Sequence, residues 1–280
     1  MKVLQQLRHD WPMATEIHKL ETRLWRQAQR DQLKVILVTS AVRGEGKSTT
    51  VAYLATALAL RPGRNILAMD LDFRSSSLNS HFEVAIDKGL GAVLRGECEL
   101  ADAIVHTPLR NGTSGLDLIF PAPEAHSDPD VLLDSPRLLE IFQTLRLSYD
   151  LILVDAPPLI PVADATALIP LSDAVLLAVM AGVTTKHHLV RARELCLGVG
   201  GNIVGIVVGN VQEAAPEYMD TYYFGYEKAG ARSPEPKSRR AGSGKRRPAR
   251  PPADAIAPEE SAPPRPDASP RTRSQPRDPS

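Results

Sequence analysis

An α/β fold, with a mostly parallel sheet covered by helices on both faces, is predicted by three features of the sequence. Continuously apolar runs of strand length recur at 35–38, 66–69, 151–154, 174–180 and 203–208, and strands without polar alternation are those buried on both faces. Stretches of helical period lie between such runs, the alternation that builds parallel sheets. The first strand leads into Ser40-Ala-Val-Arg-Gly-Glu-Gly-Lys-Ser48, which opens an Ala-rich helix. In that loop Gly44 and Gly46 let successive N–H groups face one point, and the helix N-terminus adds its positive end. The loop is a phosphate cradle, and the fold is of the P-loop NTPase class.

The elements follow in order. Met13, Ile17, Leu20, Leu24 and Trp25 recur at three- and four-residue spacing, predicting an amphipathic helix from about Ala14 to Gln29 that packs on its own domain or on a neighbour. After the phosphate loop and its helix, Pro62-Gly63 is a stop, and the strand ending at Asp70 runs into Asp70-Leu-Asp72-Phe-Arg74. Leu90, Val93, Leu94, Leu100 and Ile104 predict two short helices around Gly96, and 116–120 a strand. A loop carries Pro121, Pro123 and Pro129, and Ser135 caps a helix with Leu138, Leu139, Phe142 and Leu145 on its apolar face. A helix over 185–197 joins the last two strands. The expected organisation is a helical segment 1–32, a nucleotide-binding domain 33–215, a tyrosine cluster 216–227 and a Pro/Arg-rich tail 228–280.

Composition separates the tail from the rest. Net charge is zero, yet residues 1–227 hold 20 Lys and Arg against 27 Asp and Glu, while 228–280 hold 13 against 6. The tail also carries 12 of the 24 prolines and no aromatic residue, too little apolar surface to offset ordering entropy, so it is expected to be disordered. Its Lys/Arg clusters at 237–250 have the charge to touch an anionic membrane surface or nucleic acid, although a solvated linker explains them as well; nucleic acid is not expected as a partner. Two cysteines, Cys98 and Cys196, make neither a disulfide framework nor a zinc motif. The start lacks a signal-peptide core, and no run approaches the roughly 20 apolar residues of a membrane span. A cytoplasmic location, peripheral at the inner face of the membrane, is expected.

The chemistry gathers at strand ends. Lys47 is placed to reach the β/γ-phosphates and Ser48 to ligate Mg²⁺, with Arg43, Gly44, Glu45, Gly46 and Thr49 completing the nucleotide contacts. Ala41 stands where the phosphate-loop pattern has its first Gly, so that position must keep an ordinary backbone conformation. Asp70 and Asp72, at the finishing end of a parallel strand, lie at the rim where α/β sheets bind ligands. They can hold magnesium, and one can accept a proton from an attacking hydroxyl. Asp155 closes another apolar run and is the second carboxylate for the metal, while Pro157 and Pro158 force an extended exit. Asn210 follows the last strand in Gly-Asn-Val-Gln-Glu, which lacks the N-K-x-D of guanine sites, so adenine is favoured. Asn210 contacts the base edge or simply forms a turn. Tyr218, Tyr222, Tyr223 and Tyr226 lie within nine residues of one another and are candidate phosphate acceptors.

TSAVRGEGKST, LAMDLDFRSSSLNSHF and YDLILVDAPP resemble the bacterial tyrosine kinases of polysaccharide synthesis and export, P-loop ATPases related to the ParA/MinD type. The similarity covers about residues 12–227. ParA/MinD-type loops have a signature lysine at the position of Val42, whose absence favours the kinase branch. The resemblance implies ATP and Mg²⁺ as cofactors, Lys47 as phosphate ligand, Ser48 as magnesium ligand, Asp70 as base toward a tyrosine hydroxyl, and Asp72 with Asp155 supporting the metal. It further implies homo-oligomeric rings that present one subunit's tyrosines to the next. The implied activator is a membrane-bound chain-length regulator of polysaccharide export, here a separate chain. The family's N-terminal E-x-x-R-x-x-R motif survives only as Glu16-Ile-His-Lys19-Leu-Glu-Thr22. A nucleotide-controlled switch without a protein substrate is the second reading.

Overall fold

The computed structural model describes residues 2–9, 11–110, 114–121 and 129–211. The tyrosine cluster, the Pro/Arg-rich tail and the middle of the proline loop lie outside the described residues.

The chain opens with α1 (Lys2–His9) and α2 (Trp11–Asp31). The second is longer than its apolar period predicts, and the first was not anticipated. Leu24 and Ala28 are buried, and Met13, Ile17, Leu20 and Trp25 pack against the same core, so α2 spends its apolar face on its own domain. Glu21 is buried on that face, where Arg64 and Arg61 reach it at 2.6 and 3.1 Å. Burial alone would raise its pKa; the two guanidiniums hold it below the ordinary range.

Strand β1 (Val35–Ser40) precedes the phosphate loop and α3 (Lys47–Ala59), then β2 (Ile66–Asp70), α4 (Leu78–Phe82) and α5 (Leu90–Arg95). Gly96 ends α5 at φ 78°, followed by a 3₁₀ turn over Leu100–Ala103, the two short helical pieces the apolar positions predict. Next come β3 (Val105–Arg110), β4 (Ser114–Ile119), α6 (Pro129–Leu133), α7 (Pro136–Ser148) and β5 (Leu151–Asp155). The chain closes with α8 (Asp164–Leu168), β6 (Ala174–Met180), α9 (Lys186–Gly198) and β7 (Ile203–Gly209).

The seven strands are ordered β3-β4-β2-β5-β1-β6-β7, all parallel except β3, which runs antiparallel to β4 at the edge. Strand and helix therefore do not alternate throughout. Pro108 makes the β3 stretch look unlike a strand, but proline is tolerated at an edge, and Asn111-Gly112 between the two runs is a hairpin signal. Along β1 the side chains divide by parity: Val35 and Leu37 join the core under α5, α7 and α8, while Ile36 and Val38 join the core under α1–α4. In α7, Ile141 takes the buried place expected for Leu139, which is exposed. Ser135 stands at its N-cap but accepts no capping hydrogen bond through its side chain.

Candidate active site at the finishing ends of β1, β2 and β5

β1 lies between β5 and β6, and its finishing end delivers the loop 41–46 to the head of α3. Gly44 and Gly46 adopt φ 82° and 86°, values that glycine alone reaches without strain. Ala41 is not among the positive-φ residues and is buried, so the loop begins in ordinary backbone. The Lys47 side chain is buried at the first turn of α3, deeper than an accessible rim position. Arg43 and Thr49 are exposed, one in the loop and the other in the first turn of α3, and Arg43 donates to the Ser75 hydroxyl.

The Glu45 side chain is engaged within the protein. Its carboxylate turns inward, is 1% exposed, accepts from the Val42 N–H at 2.9 Å and from the Thr184 hydroxyl. Thr184 Oγ1 in turn accepts from the Met180 N–H at 2.8 Å. Glu45 thus ties the phosphate loop to the β6–α9 turn.

Three carboxylates converge on the loop. Asp70 and Asp155 are the last residues of neighbouring strands, in register opposite one another, and both are fully buried. Asp70 Oδ1 accepts from the Asp72 N–H at 2.9 Å, and Oδ2 from the Ser76 hydroxyl at 2.8 Å and the Leu78 N–H at 3.3 Å. Burial pushes its pKa up to about 6, with those donors opposing and the Asp72 charge adding. Asp72 Oδ1 accepts from the Ser75 N–H at 2.9 Å. Asp155 is different: neither carboxylate oxygen accepts a hydrogen bond from any described residue. Burial first and the Asp70 charge second raise its pKa well above the ordinary value, and the nearby Ser48 hydroxyl and Lys47 charge offset this only in part.

A buried carboxylate with both oxygens unpartnered is costly by several kcal/mol unless a cation satisfies it. Hard oxygen donors from Asp155, Asp72 and Ser48 are the chemistry a magnesium ion takes, so the residues present fit that ion. Ser48 Oγ already accepts from the Ser77 hydroxyl at 2.8 Å, and Thr39 donates to the Pro157 carbonyl at 2.7 Å, holding the exit of β5 against β1. Arg74 reaches Asp164 at 2.7 Å and Asp130 at 2.7 Å, joining the loop after β2 to α8 and α6. The serine and arginine partners were missed in the sequence, although Arg74-Ser-Ser-Ser77 directly after Asp72 was their signal. Asn210 sits at φ 58° beyond β7, with Nδ2 3.5 Å from the Ala181 carbonyl; its left-handed backbone is that of a turn former.

The comparisons with known proteins agree with this geometry. An AAA domain family model matches residues 33–189. The tyrosine-protein kinase YwqD of Bacillus subtilis is 30% identical over 194 residues, 69% of this chain and 78% of that protein. The tyrosine-protein kinase CpsD of Streptococcus agalactiae is 29% identical over 193 residues, 69% of this chain and 82% of that one. Among solved structures, the kinase domain of the Escherichia coli tyrosine kinase ETK superposes with a TM-score of 0.62 at 26% identity, covering 69% of this chain and 73% of that one. With its phosphate loop, its converging carboxylates and this coverage, the chain belongs to the AAA-domain P-loop ATPases and, within them, to the bacterial tyrosine-protein kinases.

Proposed function

We propose that this chain is an ATP- and Mg²⁺-dependent protein-tyrosine kinase of exopolysaccharide or capsule synthesis and export, with Tyr218, Tyr222, Tyr223 and Tyr226 as its own phosphate acceptors. The observation that carries the reading is Asp155, whose two oxygens are buried without partners beside Lys47 and Ser48. Magnesium, when held by these oxygen donors, would supply positive charge to offset that of the phosphates. The protein's share is positioning: the amides of 43–48 and Lys47 hold the phosphates, and Ser48, Asp72 and Asp155 hold the ion. Asp70, with a pKa near neutrality, orients the phenol and takes its proton. Asn210 would be the residue that meets the adenine edge.

Among the described residues no helix is long and apolar enough to cross a membrane. The proposed place of action is the cytoplasmic face of the membrane, beside a separate membrane-bound chain-length regulator that activates the kinase, and in a homo-oligomer. Incubation with MgATP and the activator, followed by phosphosite mapping, tests the reading. Phosphate on the 218–226 peptide is the expected result; an unlabelled peptide rejects it.

The link from Glu45 through Thr184 to the β6–α9 turn favours a second reading, a switch whose nucleotide state is passed to α9 and a partner. Replacing all four tyrosines by Phe separates the two: export survives in the switch and fails in the kinase.

A further inference from the structure

The outer face of the N-terminal helices is not used by the site described above. Between α1 and α2 runs a groove of about 700 Å³, with Leu7 and Ala14 at its buried side and His18, Arg23 and Arg26 along its edge. Arg23 and Arg26 are three residues apart and share one helix face. The acids of α2 are all taken elsewhere: Glu16 by Lys19 at 2.6 Å, Glu21 by Arg64 and Arg61, and Asp31 by Arg30 at 2.8 Å. Arg23 and Arg26 therefore have no ion-pair partner among the described residues. Apolar depth beneath two unmatched guanidiniums is a surface for an acidic, aromatic peptide.

We propose that this groove docks the chain's own segment 213–227. That segment holds Glu213, Glu217, Asp220 and Glu227, no Lys or Arg, and four tyrosines. Its net charge complements the arginines, and its phenol rings supply flat amphipathic surface for the apolar side. The described chain ends at Val211, and fifteen residues extend up to about 50 Å, enough to reach across a domain of this size or onto a second copy. Phosphorylation of any of the tyrosines adds about −1.5 to −2 charges each and strengthens the docking. The docking itself holds whether or not the chain is the kinase that modifies it.

The test is chymotryptic cleavage of the full, unphosphorylated chain at Tyr218–Tyr226, followed by mass spectrometry. Docking slows cleavage, and Arg23→Glu with Arg26→Glu accelerates it about tenfold, as does raising the salt to about 0.5 M. Restoring complementarity by adding Glu217→Arg and Asp220→Arg to the reversed helix returns the slow rate, which a merely structural role for the arginines does not predict. Urea midpoints of the charge-reversed chain and of the milder Arg23→Gln with Arg26→Gln show whether the fold is kept. Equal cleavage of the native and both folded variants, or no recovery on charge exchange, overturns the proposal.

Discussion

Where the strands begin, Asp173 accepts from the Lys34 and Val35 N–H groups at 2.7 and 2.8 Å and from two Arg146 nitrogens at 2.8 and 2.9 Å. Asp150, at the start of β5, accepts likewise from the Asn65 N–H at 2.9 Å. Where the strands finish, Asp155 is more deeply buried than Asp173 and accepts no hydrogen bond from any described residue. The same residue type thus does two jobs in one sheet. At the starting ends a carboxylate closes the open N–H groups of a neighbouring strand, and at Asp173 it is also matched by Arg146, which ties elements together. At the finishing ends the acids are crowded, none makes an ion pair among the described residues, and Asp155 accepts no hydrogen bond, which disfavours its charge and leaves a place for a cation. Pairing, rather than acid content, tells the structural end from the functional one.

Lys47→Met is the most damaging test of that contrast. It should lower phosphoryl transfer by about 10³-fold or more, since transfer depends almost wholly on charge and position, while the urea midpoint stays within about 1 kcal/mol. Transfer of labelled phosphate from ATP, set beside a denaturation curve, reads both. A midpoint that collapses would make the finishing end structural after all.

Asp155→Asn comes next, and it should act in opposite directions on binding and stability. Magnesium-dependent nucleotide affinity falls about 10²-fold with one ligand lost, as calorimetry would show. The nucleotide-free chain, however, becomes more stable near neutral pH. A carboxyl whose folded pKa is raised adds stability below its unfolded pKa and loses it as pH rises through the folded value. Asp70 rises from 3.8 to about 6 and Asp155 also rises, so the native protein weakens from about pH 4 upward through pH 6 and beyond. The gain of Asp155→Asn therefore grows as pH rises above about 4 and vanishes toward pH 4. Equal stability of the two chains at both pH values would refute the contrast.

Much of this was legible before the structure. Strand cores such as 35–38 and 174–180 are continuously apolar, so their burial on both faces follows from solvation alone. Lys47, Asp70, Asp72 and Asp155 were legible because the loop pattern and strand ends restrict where they point. Partnership was not. Whether Glu45 faces a nucleotide or the Val42 amide depends on the turn of one peptide, and Thr184 lies 139 residues away from it. β3 was hidden because Pro108 obscures strand character, and α1 because eight residues give only two turns in which Val3 and Leu7 can repeat.

Arg146→Ala probes the structural end and should give the mirror image. Burial disfavours the Asp173 charge, yet Arg146 and the two amides hold its pKa below 3.8. A carboxylate with a lowered pKa contributes stability above its unfolded value and loses it as pH falls through the folded one. Removing Arg146 should therefore cost about 1–3 kcal/mol at pH 7, and the difference from the native chain should shrink below about pH 4. Nucleotide affinity should stay within about twofold. Thermal melts across pH check the first part and nucleotide titration the second.

The smallest expected effect is at Ala41, the one residue at which the loop departs from the phosphate-loop pattern. Its φ is not positive and its methyl is buried against Val35, Leu37 and their neighbours, so glycine supplies no conformation that alanine denies. Ala41→Gly should leave nucleotide affinity within about twofold and destabilise the chain by about 0.5–1 kcal/mol through added freedom of the unfolded backbone. Isothermal titration with an ATP analogue and a urea midpoint resolve both. A gain of tenfold in affinity would mean that the loop start must flip to φ above zero when phosphate arrives. The cradle would then be assembled in part by its ligand.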